Sequence, residues 1–153
     1  MAWAKGAPEI DRLIADQRLQ RVPASAQGAG LLLEESRRHL ASAELLLDVD
    51  PQGAYTLLYD AARKGLAAVL LAQGLRATAQ GGHVVLQDAM RAQFDPPLGH
   101  LFKPFNRMRQ RRNQSEYAST ENPEMTADEV RADLPRARAL IEDFCVRAIG
   151  LVS

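Results

Sequence analysis

Cysteine occurs once in these 153 residues, at Cys145. A single thiol excludes an intrachain disulfide and any metal site built from several cysteines. It falls in the apolar register of the last helix-forming segment and reads as a buried structural thiol. Aromatic residues are few, and stretches that alternate apolar with polar residues are nearly absent, so no strands are expected. No apolar run approaches the roughly 20 residues needed to span a bilayer. The first residues, MAWAKGAPEID, lack the apolar core of a secretory signal, so the expectation is a cytoplasmic chain with no membrane partner. Charge of one sign is missing too: 19 basic side chains balance 19 acidic ones. No global basic field points to nucleic acid, and no acidic tail points to a basic partner. Lysine is scarce, at three against sixteen arginines. In a chain so rich in Ala and Leu this matches GC-rich coding, so where an arginine stands says more than how many there are.

Cofactor chemistry leaves no trace. There are no Glu-x-x-His pairs for a di-iron bundle, no zinc spacings, and no P-loop or GxGxxG. Neither a metal nor a cofactor is expected.

What remains is helical periodicity in a chain of one-domain length. Residues 9–21, EIDRLIADQRLQR, set Ile10, Leu13 and Ile14 on one side and predict a short helix or arm. VPASAQGAG then breaks the pattern with Pro23, Gly28 and Gly30. The first long helix is expected over 31–48, where Leu33, Leu40 and Leu47 recur every seven positions with Ser36 and Ala43 between them. Pro51 stops it. A second runs over 53–73 on a stripe of Tyr55, Leu58, Tyr59, Ala62, Leu66, Val69 and Leu70, and Gly74 is a natural C-terminal cap. His83 opens a shorter helix to about 94, and Pro104 suits the first turn of another that ends near Tyr117. Thr126 and Glu129 fit a capping box before a last helix, which Pro135 should kink or split near residue 131. The sum is an all-α protein: an N-terminal arm over residues 1–30, then an antiparallel bundle of four to five helices over 31–150. Trp3 is either a docking anchor for that arm or part of a disordered end.

Residues 104–117, PFNRMRQRRNQSEY, carry the chemical signal. At about 100° per residue, Phe105, Met108, Arg109, Arg112 and Glu116 share one broad stripe, flanked by Asn113 and Tyr117. The stripe begins apolar and ends charged. Buried charge without a partner is costly. Either this end of the helix emerges into solvent, with Arg112 and Glu116 as an i,i+4 pair, or it faces a polar surface such as a second copy or an anionic ligand. No acid occurs between Asp95 and Glu116, while Lys103, Arg107, Arg109, Arg111 and Arg112 add five cations. After that, acids dominate through Asp133. Guanidinium groups suit phosphate because they stay charged and donate in pairs.

Three stretches in order, YDAARKGL at 59–66, GLRATAQGGH at 74–83 and RQRRNQSEY at 109–117, resemble a HEPN domain. The likeness is to small free-standing bacterial members with GLRxTxxGGH after the second long helix and RxRNxxEY later, and it covers about residues 30–150. The resemblance implies a helical bundle that forms a homodimer, with two copies of the motif meeting at the interface. It implies RNA as partner, in a toxin-antitoxin or defence module, either through metal-independent ribonuclease activity or through binding alone. The motif Arg falls on Arg112 and its polar neighbour on Asn113, with Arg107 and Arg109 as supporting phosphate contacts. The motif His falls on Tyr117, a poor base at neutral pH. His83 is the histidine placed to substitute, since a helix N-terminus favours a neutral imidazole; the plainer alternative is a loop or capping residue. A second implied reading is a catalytically degenerate interaction protein, antitoxin-like, that pairs with a nucleotidyltransferase or a cognate toxin. In some HEPN toxins a tyrosine two residues beyond the His is adenylylated. That position is Ser119 here, so the carry-over fails unless Tyr117 serves as the acceptor instead. His39 reads as peripheral packing and His100 as a loop residue. Arg63 and Lys64 read as a solvated edge, or as an extension of the basic surface toward Arg112.

Overall fold

A computed structural model describes residues 4–117 and 119–153. Trp3 lies outside the described residues. The first long helix, α2 (Ala26–Leu46), starts five residues earlier than the glycines predict. Ser25 supplies the reason. Its side chain accepts a hydrogen bond from the Gly28 amide at 2.8 Å and caps the helix. Gly28 lies inside the first turn because the Leu71 side chain packs there, with a methyl 2.8 Å from where a Cβ would stand. The heptad reading holds: Ala29, Leu33, Ser36, Leu40, Ala43 and Leu47 are all buried.

Pro51 ends one helix and begins the next. It stands at the first position of α3 (Pro51–Ala72), where its missing amide costs nothing. Asp50 caps that helix by accepting from the Gly53 amide at 3.0 Å. α3 is the central helix. Eleven of its residues are buried, from Ala54 to Leu70, so it must be covered on several sides. α2 packs along it, as do α6 (Pro104–Glu116) and α7 (Ala127–Ala139). Gly74 ends it with φ +80°, the left-handed conformation that glycine adopts without strain.

The N-terminal segment departs from the expected helix over 9–21. α1 (Ala7–Ala15) buries Ile10 and Leu13 against α4 (Val84–Phe94), as their spacing predicts. The chain then turns through Gln17 at φ +61°. Residues Leu19–Arg21 form a strand, β1, paired antiparallel with β2 (Leu75–Ala77), so that Leu19 faces Ala77 and Arg21 faces Leu75. The expectation of no strands is therefore corrected. Three residues are too few to show alternation, and the one inward side chain, Leu19, fits a helical stripe equally well. Residues 4–25 pack on their own bundle, with Leu19 only 1% exposed.

DPPLGH is not merely a breaker. It leads into the short α5 (Gly99–Phe102), which delivers Phe102 to the core. Phe144 meets Phe102 at 4.9 Å between ring centres and Phe94 edge-on at 5.3 Å. The capping box is present in both directions, with the Glu129 amide donating to Thr126 Oγ1 and the Thr126 amide to Glu129 Oε2. The split expected near residue 131 does not occur, since α7 runs through Pro135 to Ala139. The register changes later, in a π-helical stretch, Leu140–Cys145, before α8 (Val146–Val152). Its wider turn brings Leu140, Ile141, Phe144 and Cys145 into the core together. Among the described residues the architecture is an all-α bundle with one two-stranded ribbon, and no helix is long and apolar enough to cross a membrane.

Candidate functional site

The arginines of α6 divide between two faces. Arg107 and Arg111 stand one turn apart and point to α7. Arg107 grips Asp133 with both ends of its guanidinium, at 2.6 and 3.0 Å. Asp133 is buried and also accepts from Tyr55 Oη at 2.7 Å and Arg136 Nη1 at 2.9 Å. Burial alone would raise its pKa, but the hydrogen bonds from Arg107, Tyr55 and Arg136 outweigh that and hold it below the usual carboxylate range. Arg111 holds Glu129 through Nε at 2.8 Å and Nη2 at 3.0 Å. Part of the charge polarity in the sequence is thus a clamp between two helices. Arg107, expected among the phosphate contacts, is committed to Asp133 and does not join the other arginines.

Arg109 and Arg112 lie on the opposite side. The Arg109 guanidinium donates to the neutral Asn106 Oδ1 at 2.9 and 3.2 Å, which orients it without cancelling its charge. The Arg112 side chain is 23% exposed, with Nη2 3.2 Å from Glu116 Oε1 and Nη1 donating to Asn113 Oδ1 at 3.2 Å. Its guanidinium carbon sits 5.5 Å from the centre of the Tyr59 ring, within cation–π range. Its Nε is buried without an acceptor among the described residues. Such an orphaned donor costs on the order of 1–3 kcal/mol unless something meets it.

Tyr59 joins this arginine to a histidine 29 positions earlier. Its ring stacks on Phe105, 5.4 Å between centres, and its hydroxyl lies 2.6 Å from His83 Nδ1. Tyr59 is fully buried, and burial pushes its pKa well above the usual tyrosine range, so the phenol keeps its proton. A buried hydroxyl proton needs an acceptor, and Nδ1 is the acceptor beside it. This pairing assigns Nδ1 as the acceptor and the proton of the neutral ring to Nε2. Burial of the imidazole lowers its pKa, and Arg63 and Arg112 lower it further against the opposing pull of Asp60. His83 remains solvent-exposed on its outer edge. It presents a neutral N–H donor beside three guanidinium groups, those of Arg63, Arg109 and Arg112.

The GLRATAQGGH stretch is the device that aims this histidine. Leu75, Arg76 and Ala77 form β2. Thr78 Oγ1 donates to the Gln17 carbonyl at 2.6 Å and accepts from the Gly81 amide at 2.9 Å. Gly81 lies so close to the Arg18 carbonyl that a side chain would collide with it. Gly82 turns the chain at φ +60°. The next residue, His83, is the N-cap of α4.

The other candidates are less engaged. Asn113 is exposed and touches Arg112. Tyr117 ends α6 with 74% of its surface exposed, and its phenol makes no hydrogen bond among the described residues. The sequence reads Tyr59 as core and Arg63 as a solvated edge or an extension of the basic surface toward Arg112, and both stand beside His83. Both lie in YDAARKGL one turn apart, the spacing that places them side by side. Among the described residues no cluster of His, Cys, Asp or Glu is arranged to hold a metal. No family model matches the chain, and neither does any curated protein or solved structure.

Proposed function

We propose that this chain is a HEPN-like RNA-binding protein of a bacterial toxin-antitoxin or defence module. Arg109 and Arg112 hold backbone phosphate, His83 adds an N–H donor, and two copies pair so that their Arg112 faces converge. The observation that carries the reading is the pairing of two guanidinium groups on one side of α6, Arg109 held only by the neutral Asn106 amide and Arg112 by Asn113 and Glu116 at its partly exposed end. Phosphate oxygens answer such donors. Binding ranks ahead of cleavage. Attack of a ribose 2′-hydroxyl needs a base to take its proton, and the resting His83 tautomer already has a proton on Nε2.

Fluorescence anisotropy with single-stranded RNA tests this. Arg112→Ala should weaken binding about tenfold and lower the salt slope by about 0.7, while wild-type protein leaves the RNA intact with EDTA present. Cleavage abolished by Arg112→Ala would promote the ribonuclease form. Binding indifferent to Arg112→Ala would remove the RNA role.

The exposed Tyr117 favours a second reading, in which the chain is the partner of a nucleotidyltransferase and Tyr117 accepts the nucleotide. Co-expression with a neighbouring nucleotidyltransferase should then raise the intact mass by nucleotide units, and Tyr117→Phe should prevent it. An unchanged mass ends that reading.

A further inference from the structure

A cleft of about 500 Å³ opens between α2, α3, α4 and the loop after β2. Its volume falls in the range of small-molecule pockets. Leu32, Ala67, Leu71 and Leu86 are among its walls, and no Phe, Tyr or Trp lines it. Leu32, Ala67 and Leu71 are only half-buried, so apolar surface faces the opening. Arg63, Arg76 and His83 stand on the same lining. Arg63 is tied only loosely, through Nε to Asp60 Oδ1 at 3.4 Å, and its two Nη groups have no partner among the described residues. Arg76 forms no ion pair among the described residues.

We infer that this cleft binds a medium-chain aliphatic carboxylate, its head on the Arg63 Nη groups and His83 Nε2–H and its chain along the leucines. A guanidinium fork matches a carboxylate in two parallel hydrogen bonds. The tautomer set by Tyr59 gives His83 a donor rather than an acceptor, which suits an anionic head. Asp60 opposes the anion, but Arg63, Arg76 and Arg112 outnumber it locally. Aliphatic walls decide the tail. Most of the lining is aliphatic, with His83 the one aromatic ring among the described lining residues, and an alkyl chain gains from every methylene removed from water.

Calorimetric titration of the full chain with acetate, hexanoate, octanoate and decanoate tests the inference without any RNA. Affinity should climb with chain length, roughly tenfold for each two added carbons until the walls are covered, at one ligand per chain. Arg63→Gln should weaken decanoate at least tenfold, and Ala67→Met, which fills the cleft, should weaken it further. Because Ala67→Met can also perturb packing, nuclear Overhauser contacts from decanoate to the Leu32 and Leu71 methyls of the wild-type protein provide a readout that needs no variant. Acetate or inorganic phosphate binding as tightly as decanoate would overturn the inference. So would decanoate affinity unchanged by Arg63→Gln, or decanoate contacts elsewhere on the protein.

Discussion

The hydroxyl of Tyr59 and Nδ1 of His83 stand 2.6 Å apart, joining the central helix to the exposed start of another, and the buried phenol is the donor because Nδ1 is the acceptor beside it. The bond fixes which nitrogen of His83 carries the proton. It also opposes protonation, since an imidazolium would need Tyr59 to accept where it now donates. Tyr59→Phe removes this constraint while keeping the ring. The His83 pKa should rise toward its ordinary value near 6.5, remaining below it because burial and the arginines persist. Stability should fall by about 1 kcal/mol. An NMR titration of the His83 ring in both proteins reads the shift, and a variant value equal to or below wild type would refute the tautomer assignment.

Acid should act on this protein in two windows. Burial lowers the pKa of His83, and burial with the nearby Lys64 lowers that of His39. Above about pH 6.5 neither folded nor unfolded chain protonates these rings, and their full contribution is present. As pH falls from there toward the lower folded values, the unfolded chain takes protons first and stability drops. Asp133 follows below about pH 4, where the unfolded chain protonates while the clamped carboxylate resists. Urea unfolding at pH 7 and 5 should show a loss that His83→Gln reduces.

Asp133→Asn should be among the costlier polar substitutions. The carboxylate is buried, receives Tyr55, and offsets two guanidinium groups. Breaking a buried pair costs about 3–5 kcal/mol, but Arg107 and Arg136 are half-exposed and water can take over, so about 2–3 kcal/mol is expected. Thermal and urea unfolding measure it. RNA affinity should change little, because this face of α6 is not the one with Arg112.

Gly81 and Gly82 are neighbours with different physical constraints. A methyl at 81 collides with the Arg18 carbonyl, whereas at 82 it meets nothing within 4 Å and pays only for φ +60°. Gly82→Ala should therefore cost about 1 kcal/mol. Gly81→Ala should cost more and should loosen the β1–β2 ribbon, seen as faster hydrogen exchange across Leu19–Arg21. Equal exchange in the two variants would contradict the collision.

Cys145 is fully buried against Gly65, and burial pushes its thiol well above the usual range. A neutral, enclosed thiol is a poor nucleophile. Iodoacetamide should leave the native protein unmodified and label it once urea unfolds it.

The main helices were readable because each buries a stripe whose spacing survives in the sequence, as from Leu33 to Leu47 or Tyr55 to Leu70. The capping box and Gly74 were readable because local chemistry alone sets them. What escaped depends on distant partners. β1 is three residues long and exists because β2 lies beside it. Gly28 looks like a breaker until Leu71 is known to pack there. The candidate site was half visible. Periodicity showed that Arg112 leaves the apolar stripe, but no spacing rule relates it to His83 through Tyr59, nor divides Arg107 from Arg109 by the acids each helix face meets.

The clasp of Thr78 on the carbonyl of Gln17 ties the middle of the chain to its opening residues. A shortened protein beginning at residue 31 would keep every arginine of α6 and the whole of α3, yet lose the bracing that fixes the bearing of the imidazole. Anyone trimming this chain to its bundle for crystallisation or fusion would preserve the cations and discard the aim.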